Sequence, residues 1–141
     1  MKFSELTPEQ WAELQPYLDT AVLPVTGMSG SEMPYEATEA LERLRDVLDL
    51  IEVPFKGRVV TYPACHYGEW SEETVEQVAK LCTNLKLRAG FRYVVIATAS
   101  AAPEKAVKET GADVVIGPDL EGCLPSSSSV GDSIRRLWLG R

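Results

Sequence analysis

Tyr93-Val94-Val95-Ile96-Ala97 is the stretch whose reading decides the fold. It is an apolar run with no polar alternation, expected of a parallel strand covered by helices on both faces. Gly90 precedes it and ends an amphipathic segment whose Val75, Val78, Ala79, Cys82 and Leu85 recur at helical spacing. Ser71-Glu72-Glu73 opens that helix with a cap and two acids that favour the positive end of its dipole.

Working outward, the same alternation repeats. Thr7-Pro8-Glu9-Gln10 places Thr at an N-cap, Pro at the first helical position and Gln three residues after the cap, and predicts a helix to about Tyr17. Thr20 to Val25 reads as a first strand, short or ending at Pro24 because proline cannot donate to a ladder. After the loop Thr26–Pro34, the spacing of Ala37, Leu41, Leu44, Leu48 and Ile51 predicts a helix stopped by Pro54 and Gly57. Arg58–Tyr62 is the second strand, closed by Pro63. A short helix from Pro103 to about Thr110 and a strand Asp113–Ile116 follow. Val130, Ile134, Leu137 and Trp138 mark a C-terminal helix.

Strand and helix in alternation imply right-handed crossovers, hence an α/β fold: three α/β/α layers with a mainly parallel sheet of about four strands. At 141 residues the chain most simply makes a single domain, residues 1–141. That length buries enough surface to need neither disulfides nor a structural metal.

Composition bounds the partners. The net charge is −7, and the acidic excess lies entirely in residues 1–70. An acidic surface without a Lys/Arg cluster excludes nucleic acid and anionic membranes as expected partners. No apolar window approaches the roughly 20 residues of a membrane span. The N-terminus carries acids where a signal peptide would place its apolar stretch, so a cytoplasmic location is expected. Cys65, Cys82 and Cys123 have no C-x-x-C spacing, and there is one His. No metal site and no cofactor are expected from such a set.

In open α/β sheets ligands bind outside the carboxyl ends of the strands. The loops expected there are Thr26–Pro34, Pro63–Trp70, Thr98–Ala102 and Gly117–Ser129. Their chemistry-bearing residues give the candidate ligand-binding set Cys65, His66, Tyr67, Trp70, Ser100, Asp119 and Ser127. Cys65 beside His66 would serve nucleophilic chemistry only if both side chains pointed the same way, and neighbours in an extended segment do not. The bland reading makes Cys65 an apolar filler and His66 a satisfied loop residue. Ser126–Ser129 before a helix could hold an anion on backbone N–H groups. Asp119, Glu121 and Asp132 oppose that, and Ser129 with Asp132 is also a plain capping arrangement. Glu32, Glu36, Glu69, Asp119 and Glu121 would have to converge to do metal or acid–base work. Trp11 and Trp138 are expected to pack on the sheet, and Trp70 to line a cleft or pack beside Tyr67.

Two resemblances rest on these motifs. The whole chain, through Leu23-Pro24-Val25-Thr26-Gly27 and Tyr62-Pro63-Ala64-Cys65-His66-Tyr67-Gly68-Glu69, resembles the YpiF-like family of bacterial proteins, a domain of unknown function, which implies no activity. Residues 21–116 are also similar to creatininase-type amidohydrolases, in Leu23–Gly27, Tyr67-Gly68 and Gly90-Phe91-Arg92. Where those enzymes have a Glu-x-His metal motif this chain has Met28-Ser29-Gly30-Ser31-Glu32. In place of their Asn-Gly-His-Gly-Gly-Asn loop it has Thr98-Ala99-Ser100-Ala101-Ala102. A dinuclear metal site needs several His and carboxylate ligands, so no catalytic residue carries over. The expected function is a non-catalytic binding or accessory module for a protein or small-molecule partner. The alternatives are a small hydrolase using His66 or Cys65 with a rim carboxylate, and a phosphate or nucleotide binder through the serine run. The sequence assigns no oligomeric state.

Overall fold

The computed structural model describes residues 1–140. After a 3₁₀ turn at Phe3–Glu5 the elements run α1 (Pro8–Leu14), β1 (Thr20–Met28), α2 (Pro34–Phe55), β2 (Val59–Thr61), β3 (Cys65–Tyr67), α3 (Glu72–Leu87), β4 (Tyr93–Thr98), α4 (Glu104–Glu109), β5 (Val114–Ile116) and α5 (Ser127–Trp138). All described strand pairs are parallel, in the order β2-β1-β4-β5, with β3 on the same side of β1 as β2. The expected α/β fold is therefore present, with five strands rather than four.

β2 and β3 form one interrupted edge strand, so the order is that of doubly wound sheets, in which the strand order reverses between β1 and β4 while the strands stay parallel. Right-handed crossovers then place α2 and α5 on one face and α3 and α4 on the other. The two cores agree with this arrangement. Val22, Val47, Ile51, Val59, Val95, Val130 and Ile134 pack under α2 and α5. Leu23, Val25, Val60, Val78, Cys82, Leu85, Val94 and Ile96 pack under α3, with Trp11 of α1 at the margin. Among the described residues no helix is long and apolar enough to cross a membrane.

The sequence signals for α1 are realised as a capping box. Gln10 N donates to Thr7 Oγ1 (3.2 Å) and Thr7 N to Gln10 Oε1 (3.0 Å). The helix ends at Leu14, short of Tyr17. Trp138 packs edge-on to Phe55, lies under the Arg58 guanidinium, and donates to Thr20 Oγ1 (2.9 Å). Arg58 also holds Asp19 in a two-pronged ion pair (2.9 and 3.0 Å). These bonds tie α5 to the start of β1.

Pro24 does not end β1; it sits in the middle of it, opposite Ala97. The reason lies in the ladder. Thr20 N donates to Arg58 O, and Val22 O accepts from Tyr62 N, so even-numbered residues of β1 bond towards the β2–β3 edge. The donor missing at Pro24 would face Tyr62-Pro63-Ala64, where that edge strand is broken. Pairing runs Val22 with Thr61, then resumes at Val25 with Cys65. The proline is tolerated in a central strand because its missing donor falls where pairing with the edge strand lapses, between Val22 and Val25.

The expected apolar stripe of α2 is corrected in phase. The buried line is Ala40, Leu44, Val47 and Ile51. Leu41 is 41% exposed and lies on the flank of the helix with Leu48. The helix also runs one residue past Pro54, to Phe55.

Candidate functional site

The expected rim between β1 and β4 is filled by the chain's own groups. Trp70 Nε1 donates to Thr98 Oγ1 (3.2 Å), which in turn donates to Ser100 O (2.8 Å) and accepts from Ser100 N (3.2 Å). Gly27, with φ +79°, bulges the end of β1 so closely against Ser100 that a Cβ there would lie 2.5 Å from Ser100 Oγ. Gly68, with φ +129°, does the same against Thr74 Oγ1 of α3. Only glycine satisfies both the left-handed backbone and the close approach. Trp70 also lines a cavity of about 170 Å³ between the start of α3 and α4.

Cys65, His66 and Tyr67 do not lie in a loop. They form β3, an edge strand held by the long reach of β1. Alternation therefore separates the first two. Cys65 packs with the α3-side core, and burial pushes its thiol pKa up, away from the thiolate that nucleophilic attack requires. His66 lies on the α2 side, where its Nδ1 meets Thr26 Oγ1 at 2.9 Å. Thr26 is buried, and among the described residues its hydroxyl has no other partner. We assign the hydroxyl as donor to Nδ1, because the reverse would leave a buried O–H unpaired; the ring then carries its proton on Nε2. Tyr67 is exposed.

The remaining candidates sit at the far edge. β3 and β5 are separated by β1 and β4, three strand spacings or roughly 14 Å. Beyond β5, Asp119 Oδ1 accepts from Glu121 N and Cys123 N (both 2.9 Å), a self-contained turn. Asp119, Glu121 and Cys123 place one ligand-type atom each within 4.8 Å of one another, all exposed. Of the expected carboxylates, these two converge. Glu32 instead closes its own loop, accepting from Ser29 N and Gly30 N (2.9 Å each), and these bonds, the one from Ser29 foremost, lower its pKa.

The serine run is not a loop. Ser126 is the N-cap of α5, accepting from Ser129 N (3.1 Å), and Ser127–Ser129 form its first turn. Ser129 is thus not the cap, and Asp132 pairs with Arg135 (3.0 Å) instead.

The break in the edge strand opens a groove of about 360 Å³ between α2 and β2–β3. Pro24 and Leu44 form its floor. Leu41 and Leu48, with Pro63 and Ala64 opposite, make its walls. Arg45, Asp49, Glu52, Lys2 and His66 stand around it, and Glu52 Oε1 is taken by Thr61 Oγ1 (2.7 Å).

Residues 9–128 match a family described as "Protein of unknown function (DUF2487)". The chain belongs to that family. Neither the curated proteins nor the solved structures yield a match. The match spans both sides of the groove in this DUF2487 chain, from Pro24 to Ala64.

Of the residues expected to form a site, the structure gathers Trp70 and Ser100 around Thr98, and places His66 in the groove. Cys65 is turned away, and Asp119 and Ser127 stand at the opposite edge. Sequence reasoning missed Pro24, Leu41, Arg45 and Leu48. The available signal was a proline inside an otherwise strong strand, together with more leucines on α2 than one buried stripe can use.

Proposed function

We propose that this DUF2487 domain is a non-catalytic binding or accessory module of the cytoplasm, with its ligand seated in the groove between α2 and the broken edge strand. The observation that carries this reading is the separation of the reactive groups from one another. His66 is engaged by Thr26 and Cys65 faces the opposite layer, while Asp119, Glu121 and Cys123, the one group of three metal-ligand-type side chains among the described residues, lie across the sheet. A base needs its nucleophile within hydrogen-bond reach. The groove, by contrast, has what a small-ligand site has: an apolar floor and a few polar groups at its margin.

The likeness to creatininase-type amidohydrolases is, in this reading, a likeness of scaffold. Met28–Glu32 and Thr98–Ala102 stand where that family has its metal-binding motifs, and here they serve as a turn and as the Thr98 hydrogen-bond hub. A phosphate or nucleotide site at the serine run is less well supported, because the Ser126 hydroxyl already caps α5.

The test is a hydrolase-substrate panel run with the wild-type chain and His66→Ala, alongside thermal-shift screening with nucleotides and sugar phosphates. No turnover and no nucleotide shift are expected. Turnover abolished by His66→Ala would overturn the non-catalytic reading, and a saturable stabilisation by a nucleotide, lost in Ser127→Ala, would move the site to α5.

A further inference from the structure

β5 is the other margin of the sheet, across it from the groove. Asp113 N donates to Val94 O of β4, so odd-numbered residues of β5 bond inwards and even-numbered ones turn their N–H and C=O outwards. Val114 and Ile116 thus present two donors and two acceptors. Among the described residues, no backbone bond outside the ladder reaches them. We propose that this margin pairs with that of a second copy of the chain, antiparallel about a two-fold axis through Val115. Val114 of each copy then exchanges both its bonds with Ile116 of the other, and the two Val115 side chains meet across the axis.

The charges along the edge are what select a second copy. Lys86 is held by Asp113 (3.0 Å) and Lys105 by Glu109 (3.9 Å), within the chain. Lys105, Ala106 and Glu109 line the cavity towards α3, so Glu104 and Lys108, four residues apart, share the strip of α4 turned away from it. Both are exposed, and neither has an ion-pair partner among the described residues. α4 runs back towards the start of β5, so Glu104 stands at the carboxyl end of the sheet and Lys108 at the amino end. Asp119 and Glu121 follow β5 and add to the carboxyl end. The edge is therefore polarised, acidic at one end and basic at the other.

An antiparallel two-fold reverses one copy end for end while keeping both α4 helices on the same face of the joined sheet. Glu104 of each copy is brought towards Lys108 of the other, and the Asp119–Glu121 turn towards the basic end. A surface complementary to itself in this way is what an isologous contact requires. Parallel pairing would set like charges side by side. The two-fold also uses up both β5 margins, so the assembly closes at two copies.

Sedimentation velocity of the full chain from about 5 to 500 μM, at about 0.1 M salt, is expected to show a reversible dimer, weak because the strand contact is short. Amide exchange followed by NMR locates the contact. With about nine-tenths of the chain dimeric, the Val114 and Ile116 amides should exchange about tenfold more slowly than in dilute solution, because only the remaining monomer exposes them. Lys108→Glu removes two ion pairs and creates two repulsions, and should weaken the dimer about tenfold. Adding Glu104→Lys to it exchanges the charges and should restore the dimer. Both positions are exposed, so neither variant threatens the fold. A monomer at every concentration would overturn the proposal and leave the edge to an extended peptide of another protein. A dimer in which those two amides do not slow would overturn it as well, by placing the contact elsewhere. A double variant no tighter than Lys108→Glu alone would overturn the antiparallel two-fold.

Discussion

Replacing Ile51 and Leu41 by alanine, each alone, separates the two strips of α2. Ile51 is fully buried among Val22 of β1, Val59 of β2, Val95 of β4 and Val130 and Ile134 of α5. Its neighbours are β-branched side chains with few alternative rotamers, held on a hydrogen-bonded sheet, so the hole left by Ile51→Ala cannot close. Cavity-forming changes of this kind cost about 2–5 kcal/mol, and the rigid surround puts this one in the upper half, near 4 kcal/mol. For a chain of this size that lowers Tm by roughly 10–15 °C. Leu41 is 41% exposed and faces the groove, so Leu41→Ala should cost under about 1 kcal/mol. Urea denaturation followed by circular dichroism, with calorimetry for Tm, measures both. Equal costs for the two variants would mean that the Leu41 strip is covered, and the groove would cease to be an open feature of the fold.

Further expectations follow from the hydrogen bonds and the thiols. Ser126→Ala should cost about 1 kcal/mol in urea melts and Ser129→Ala much less, since only the first removes the cap of α5. Trp70→Phe leaves Thr98 Oγ1 without its indole donor and should cost about 1 kcal/mol, with NMR shift changes confined to β4 and the Ser100 turn. Burial pushes the Cys82 thiol up to about 11. The folded state then holds its proton where the unfolded state has lost it, so stability is complete below about pH 8.5 and falls as pH rises towards 11, measurable by urea melts along that range. At pH 8 a thiol reagent should label exposed Cys123 at once and Cys82 only on unfolding. Glu32 runs the other way: its pKa is lowered, so the Ser29–Met33 loop is secured above pH 4.5 and loosens as acid protonates the carboxylate, visible in amide exchange of Ser29 and Gly30.

Local signals that do not depend on distant partners were legible in the chain. The β4 run announced a strand covered on both faces, and Thr7 and Ser71 announced helix starts that the structure confirms bond by bond. β3 was not legible, because Cys65-His66-Tyr67 has no apolar pattern; its strand character comes from pairing with β1. The phase of α2 was hidden for a different reason. Two apolar strips lie side by side on that helix, and choosing the buried one requires knowing where the sheet is. The four serines read as a loop because serine favours caps and turns, yet one serine suffices for the cap and the other three continue into the helix. The site suffered most, since its lining comes from β1, α2 and the β2–β3 edge, brought together by a break that only the ladder reveals.

That break has a second effect, on how the molecule meets its own kind. A long bare margin of a sheet is a template on which other chains can add, the first step towards fibres. Here the outer margin of β2 is already taken, with Thr61 N donating to Met1 O and the terminal amine to Val59 O (2.8 Å each). The next outward position belongs to Pro63, which has no hydrogen to give. Three-residue β3 is left as the whole of the bare margin on this side. Pro63, which helps to hollow out the groove, thus also denies a growing aggregate its foothold.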